Sequence, residues 1–241
     1  MRSGERTFVS REPIDTLKAL AQHAAYRAAL ASCGFAVQVI EADSSLPDCA
    51  FVEDCAIVLP DAALICRLGA ESREREVDAV ADELSKYRQA VRVDQPATIE
   101  GGDAVRFGDR ILVGRSCRTN SDGIEELRRL AEPMGFAVTE CTVHGCLHLK
   151  TACTFLPDGS LLANQDWIDL PRGVEVLRVA DGEPWAGNIL LAGQTIIAAG
   201  NQPKTNRLLR NRGFDIVEVD ISEFQKAEGG VTCLSILIEA N

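Results

Sequence analysis

One unit, made of a strand, a turn, a second strand, a loop, a helix and a returning strand, recurs along this chain and restricts its fold more than any other feature. In one copy CAFVEDCAIVL leads to a turn at Pro60-Asp61, the strand ALICRL, a helix over 72–87 and the strand QAVRV. The next has a hairpin AVRFGDRILVG turning at Gly108-Asp109, a capped helix SDGIEELRRLAEPM and the strand GFAVTECTV. ACTFLPDGSLLA and GVEVLRVA repeat the strands around a weaker helix signal, and NILLAGQTIIAAG, KTNRLLRNRG and FDIVEVD complete another unit. Three helix exits share a Gly-Phe pair: Gly34-Phe35, Gly135-Phe136 and Gly213-Phe214.

The remaining pieces make a fifth unit across the termini. Arg6 to Pro13 is expected as a first strand, 15–32 as a helix capped by Asp15 and ended by Gly34, FAVQVIEA as its returning strand and SILIEA as the last strand. Repeats that pair last with first close a ring, and a ring's centre gathers residues from distant positions. A doubly wound sheet alternates single strands with helices, so a hairpin before each helix argues against it. With no interior linker or low-complexity stretch, residues 1–241 are expected to form one domain.

The chemistry is narrowed by charge and cysteine usage. A formal net charge of −11 disfavours nucleic acid and anionic membranes as partners and suits a small cationic substrate. No apolar run is long enough to span a bilayer, and MRSGERTFVSREP lacks the apolar stretch of a secretory signal, so the expectation is a cytoplasmic protein. Nine cysteines, an odd number without a CxxC pair, point to reduced thiols.

Among those thiols Cys233 stands apart, because EGGVTCLSI mounts it between a glycine pair and an apolar run. A core thiol is the ordinary alternative. A nucleophile needs a proton-transfer partner, and only His23, His144 and His148 are available. His148, on the alternating stretch LHLK, is expected on a strand and is preferred over His144 at the Gly145 bend. Cys141, His144, Cys146 and His148 contain zinc-type ligands, but an alternating strand would point them to opposite faces. Glu53 and Asp54 stand in apolar surroundings where surface acids are uncommon, Asp48 precedes them at LPD and Glu100 stands before two glycines, while Arg73 and Arg118 stand at loop-to-helix junctions, where a solvated helix start is the ordinary alternative to pairing with a carboxylate.

A thiol, an imidazole, half-buried carboxylates and two arginines suit an amino acid with a cationic planar head. FVEDCA, GAESREREVD, TIEGGD, GRSCRTN, LHLKTA and EGGVTCLSI, in this order and spacing, closely resemble dimethylarginine dimethylaminohydrolases of the pentein superfamily. The resemblance implies a five-bladed pseudo-symmetric α/β propeller that hydrolyses methylated arginine to citrulline and a methylated amine, with no cofactor or metal. It implies Cys233 as nucleophile, His148 as general acid and base, and Glu100 as the residue orienting His148. Glu53 and Asp54 would bind the guanidinium, Asp48 the amino group, and Arg73 and Arg118 the carboxylate, with the Ala227 backbone as a further contact. It leaves a homodimer open. Family members usually carry a lid between the first strand and first helix, whereas here Pro13 leads almost directly to Asp15. An open site would admit another guanidine, amidine or ureido substrate, for hydrolysis or amidine transfer. A non-catalytic binding protein of the same fold is the lesser alternative.

Overall fold

The computed structural model describes residues 4–238. In chain order its elements are α1 (Thr16–Ser32), β1 (Ala56–Val58), β2 (Ala62–Ile65), α2 (Glu76–Leu84), β3 (Gln89–Arg92), β4 (Ala104–Phe107), β5 (Arg110–Arg115), α3 (Ser121–Ala131) and β6 (Ala137–Val143). There follow α4 (Leu149–Ala152), β7 (Cys153–Phe155), β8 (Leu161–Ala163), β9 (Ile168–Asp169), β10 (Val176–Arg178), β11 (Ile189–Ala192), β12 (Thr195–Ala199), α5 (Pro203–Asn211), β13 (Asp215–Val219) and α6 (Ser222–Gln225).

Four small sheets carry the repeat. In each, an antiparallel hairpin is followed by a strand parallel to its second member, giving the orders β1-β2-β3, β4-β5-β6, β7-β8-β10 and β11-β12-β13. The parallel return requires a crossover, which α2, α3 and α5 provide. The third unit replaces its helix with a 3₁₀ turn at Gln165–Trp167 and β9, which pairs antiparallel with β6 and ties the second unit to the third. The core lies between neighbouring units. One cluster unites Leu64, Ile65 and Val80 with Ile124 and Leu127 of α3, both fully buried. Burying a leucine of this kind contributes about 1.5–3 kcal/mol.

The shared Gly-Phe exits are one device used three times. Gly34, Gly135 and Gly213 adopt φ of 92°, 89° and 90°. The following Phe35, Phe136 and Phe214 N–H groups each donate at 3.2 Å to the carbonyl five residues back, on Leu30, Ala131 and Leu209. This is the Schellman end, in which a left-handed residue folds the chain back over the last turn.

The fifth unit departs from expectation. Arg6 to Pro13 forms no strand, and neither 35–42 nor 235–238 is in a ladder; the last residues of SILIEA lie outside the described region. In the other units the middle strand joins the outer two, and here Arg6 to Pro13 does not take that position. The outer segments are held by side chains instead. Ile40, Ile236 and Ile238 pack on the cluster around Leu64, while Phe35 and Leu237 pack beside Leu30 and Val219. α1 begins at the expected cap, where Asp15 Oδ1 accepts the Leu17 and Lys18 N–H groups at 3.0 and 3.1 Å.

Among the described residues nothing beyond its chain neighbours lies within 4 Å of a Cβ added at Gly213, so a substitution there meets backbone strain rather than a clash. Gly213→Ala is expected to lower the unfolding free energy by about 1–2 kcal/mol. Gly213→Asn should lose less, and urea midpoints at unchanged m-value are the measurement.

Candidate active site

Four units bring the residues just ahead of their first strand to the centre, and the fifth brings the turn just ahead of 235–238. Those residues are the 3₁₀ turns Val52–Cys55 and Gly101–Asp103, the short helix α4, Asn188 and the 3₁₀ turn Thr232–Leu234. The Val52–Cys55 turn packs against both the Gly101–Asp103 and Thr232–Leu234 turns, and Gly101–Asp103 packs against α4. Missing Cβ atoms make this approach feasible. One at Gly102 would stand 2.8 Å from His148 Nδ1 and 2.9 Å from Asp54 Oδ1.

His148 does not lie on the expected strand; it is the extended residue that caps α4, with φ −134° and ψ 159°. The bend follows from a partner that the local pattern does not show. The Leu149 N–H, first in α4, donates to Asp103 Oδ1 at 2.9 Å, and the Ser116 and Thr119 hydroxyls donate to Asp103 Oδ2 at 2.6 and 2.7 Å. Burial pushes the Asp103 carboxyl up to about 6 in spite of these donors.

The His148 ring is fixed on both sides. Its Nε2 stands 2.6 Å from Glu100 Oε2, and its Nδ1 stands 3.7 Å from Asp54 Oδ1. Burial favours the neutral ring, but the Asp54 charge, the Glu100 hydrogen bond and charge, and Asp103 outweigh it and raise the His148 pKa. Glu100 responds oppositely. Burial would raise its pKa, yet the bond from His148 and the charges of His148, Arg73 and Arg118 hold it below the usual carboxylate range. The pair is therefore a buried carboxylate and imidazolium.

Cys233 is buried in its turn and accepts the Gly230 N–H on Sγ at 3.3 Å. Burial first, then the charges of Glu53 and Asp54, push its thiol well above the ordinary value, so it rests as neutral S–H. Asp54 has divided duties. Its Oδ2 pairs with Arg73 Nη1 at 2.9 Å, while its buried Oδ1 receives no hydrogen bond among the described residues. Arg73 is itself held by Glu76, three residues on, at 2.8 Å from Nη2 and 3.0 Å from Nε.

Asp48, Asp54, Arg73, Arg118, His148, Ala227 and Cys233 all line one cavity of about 20 Å³. Glu100 stands directly behind His148. Glu53 lies off the lining, with Oε1 2.7 Å from Lys150 Nζ and Oε2 accepting the Thr232 hydroxyl at 2.6 Å. His144 lies half-exposed, 3.6 Å from Asp169, so of the two candidate imidazoles His148 joins the cavity. Cys141, His144, Cys146 and His148 do not converge as a metal group among the described residues. The ligand atoms that do converge, within 4.8 Å, are those of Asp54, Glu100 and His148, and there the imidazolium is itself the cation that the two carboxylates face.

The mouth is covered, contrary to the expected open site. Gly4 to Phe8 crosses it: Asp48 Oδ2 accepts the Glu5 N–H at 2.7 Å, and Arg6 Nη1 stands 3.8 Å from Asp48 Oδ1. Glu228, at a left-handed φ of 62°, accepts the Thr7 and Phe8 N–H groups at 2.7 and 2.5 Å. The stretch expected as a first strand thus gives the Thr7 and Phe8 N–H groups to Glu228 and sets the Arg6 guanidinium beside Asp48 at the cavity. Asp103, Glu76, Lys150, Thr232 and Glu228 went unassigned in the sequence. Only Glu76 left a local signal there, its helical spacing from Arg73; each of the others has a side-chain partner 13 or more residues away.

Residues 5–153 match a family described as N,N dimethylarginine dimethylhydrolase, eukaryotic. A dimethylarginine dimethylaminohydrolase of Streptomyces coelicolor is 40% identical over 237 residues, covering 98% of this chain and 92% of its own. The enzyme of that name from Pseudomonas aeruginosa is 31% identical over 92% of this chain and 89% of its own. A solved dimethylarginine dimethylaminohydrolase carrying an S-methyl-L-thiocitrulline adduct superposes with a TM-score of 0.89 at 30% identity, over 94% of this chain and 91% of that one. The N-terminal domain of ArgZ, a cyanobacterial arginine dihydrolase, shares the fold at a TM-score of 0.84 and 19% identity, over 92% and 87% of the two chains.

The coupled pair sets a pH window for stability. With His148 raised from 6.5, its contribution is complete below about pH 6.5 and is lost as pH rises through its folded pKa. With Glu100 lowered from 4.5, its contribution is complete above about pH 4.5 and is lost as pH falls through its folded pKa. Urea midpoints of the native protein should therefore sag on both sides of that interval. Glu100→Gln should flatten the acid side, and NMR should show the His148 ring titrating at lower pH in that variant.

Proposed function

The chain belongs to the dimethylarginine dimethylaminohydrolase family and is a hydrolase of guanidino C–N bonds; from that premise we propose that it converts asymmetric dimethylarginine or monomethylarginine to citrulline and a methylated amine through a covalent Cys233 intermediate. One observation supports this reading most directly: the buried Asp54 Oδ1, without a hydrogen-bond donor of its own, borders the cavity shared by Cys233 and His148. An acceptor left free in such a place calls for a cation.

The substrate guanidinium sits against Asp54, within the negative field to which Glu53 contributes. Its positive charge offsets the carboxylates that hold the Cys233 thiol neutral, and the thiol proton leaves to water. The thiolate attacks the guanidinium carbon. Imidazolium His148 protonates the nitrogen of the departing dimethylamine, the C–N bond breaks, and an S-alkylthiouronium remains. Neutral His148 then takes a proton from water, whose oxygen adds to the same carbon. Expulsion of the Cys233 thiolate yields the ureido product. Glu100 keeps the ring oriented and its charged form stable throughout.

At the other end of the substrate, Asp48 takes the amino group and Arg73 and Arg118 the carboxylate, beside the Ala227 backbone. A cavity of about 20 Å³ holds roughly one water, so an amino acid enters when Gly4 to Phe8 lifts. Asp48 then exchanges the Glu5 N–H for the substrate amine. Because the hub draws on every unit of the ring, the site requires the 1–241 chain as one catalytic domain.

Citrulline formation from asymmetric dimethylarginine tests the proposal. Cys233→Ser is expected to lower kcat by about 10³-fold or more, and the wild-type protein quenched during turnover should show the thiouronium by intact mass. Turnover surviving in Cys233→Ser would sink the covalent route. The alkaline limb of kcat/KM, which reports loss of the His148 proton, should move to lower pH in Glu100→Gln.

A further inference from the structure

Four units supply the residues assigned to the chemistry: the first gives Glu53 and Asp54, the second Glu100, the third His148 and the fifth Cys233. The fourth gives none of them, yet it follows the same plan, and the residue immediately ahead of its first strand β11 is Asn188. Asn188 is buried, and both of its Nδ2 hydrogens and its Oδ1 find partners at the hub. One Nδ2 hydrogen goes to the Lys150 carbonyl at 2.9 Å and the other to Thr232 Oγ1 at 2.9 Å, while Oδ1 accepts the Thr232 N–H at 3.3 Å. The Lys150 carbonyl can only accept and the Thr232 amide can only donate, so these partners fix which way the carboxamide faces.

The bonds continue into a closed loop. The Thr232 hydroxyl, accepting from Asn188, donates to Glu53 Oε2 at 2.6 Å, and Glu53 Oε1 meets Lys150 Nζ at 2.7 Å. Lys150 lies two residues beyond His148, Thr232 lies next to Cys233, and Glu53 lies next to Asp54. One carboxamide therefore joins the turn carrying the nucleophile to the helix carrying the acid and base, and Glu53 links both to the turn carrying the guanidinium carboxylate. Gly230 makes room for it, since a Cβ there would stand 2.8 Å from Asn188 Nδ2.

We infer that Asn188 is a positioning residue of the hydrolase reaction, acting through Thr232 and Lys150 to hold Cys233 and His148 in register over the guanidinium carbon. The inference rests on the hydrolase activity proposed above. It also gives Glu53 a duty besides its charge: both of its oxygens anchor this loop. Catalysis of this kind is sensitive to small displacements, a misplacement of 1 Å costing on the order of 10²-fold. The residues assigned to the amino acid end, Asp48, Arg73 and Arg118, are not members of the loop.

The test compares Asn188→Asp, which keeps the shape but cannot donate, with Thr232→Val, which removes the hydroxyl, and Thr232→Ser, which retains it. Active sites are counted by titrating Cys233 with 2-chloroacetamidine, and kcat is expressed per titrated thiol. Asn188→Asp and Thr232→Val are each expected to lose about 10- to 100-fold in kcat with KM within about threefold, and Thr232→Ser to stay within about threefold in kcat. The double variant Asn188→Asp/Thr232→Val should be scarcely worse than the poorer single one, as members of one loop are not additive. If kcat per thiol stays within about threefold in both single variants while their urea midpoints fall, Asn188 is structural only and the inference is overturned. If the wild-type protein turns over no methylarginine, the hydrolase proposal fails separately. The inactivation rate of Cys233 by 2-chloroacetamidine then decides: a drop of about tenfold in both variants supports the positioning role, and unchanged rates refute it.

Discussion

The bond between His148 and Glu100 is the interaction on which the rest of the site depends. Burying a carboxylate and an imidazolium together is costly unless each remaining polar atom is satisfied. The surrounding structure supplies those partners. Gly69 and Arg118 approach Glu100 Oε1 at 3.0 and 4.0 Å, and Arg73 stands 3.9 Å from Oε2. Asp54 faces the far side of the ring, and Asp103 secures the first amide of α4. The positive charge of His148 is thus a property of several units at once, and it is the form needed to protonate a departing amine.

The same surroundings keep the Cys233 thiol neutral at rest. Burial first, and then the carboxylates that would attract a guanidinium, oppose a thiolate at Cys233, and in the proposed reaction an arriving cation offsets the carboxylates. Binding charge and activating charge are then one event, which favours guanidinium substrates by chemistry as well as by fit. Segment Gly4 to Phe8 adds a second condition to the proposed reaction, because its Glu5 N–H and Arg6 guanidinium occupy Asp48, the carboxylate assigned there to the substrate amine. The cover is assembled from backbone donors and two acids, Asp48 and Glu228, rather than from an apolar plug.

Ring architecture makes such crowding possible. Every unit ends its approach to the centre in a turn, short helix or single residue, and in four of the five a strand begins within one to five residues of the functional side chain. Glycines at 101, 102 and 230 let the turns meet at distances that a side chain would forbid. The unit whose middle strand is missing, built on α1, is held by apolar packing and by side-chain hydrogen bonds such as those joining Gln22 to Ser222 and Glu223 and Tyr26 to Ser235, and it still delivers Cys233.

What the sequence determined by itself was whatever depends on local pattern. The hairpins, the helices and the three Gly-Phe exits follow from periodicity and backbone preference, and the residues of FVED, TIEGGD, LHLK and EGGVTC were recognisable because their kinds and order are themselves the signal. Tertiary structure decided what depends on partners distant in sequence. Alternation in LHLK predicts a strand, yet Asp103, 46 positions away, bends the chain into α4 at His148. Apolar residues and a proline after Arg6 predict a strand, yet Asp48 and Glu228 draw that stretch across the cavity. Asn188 carries no motif at all, and only closure of the ring sets its carboxamide between Lys150 and Thr232. Hydrogen bonds and charges act over a few ångströms of space whatever the separation along the chain, and only the folded ring brings those groups within reach.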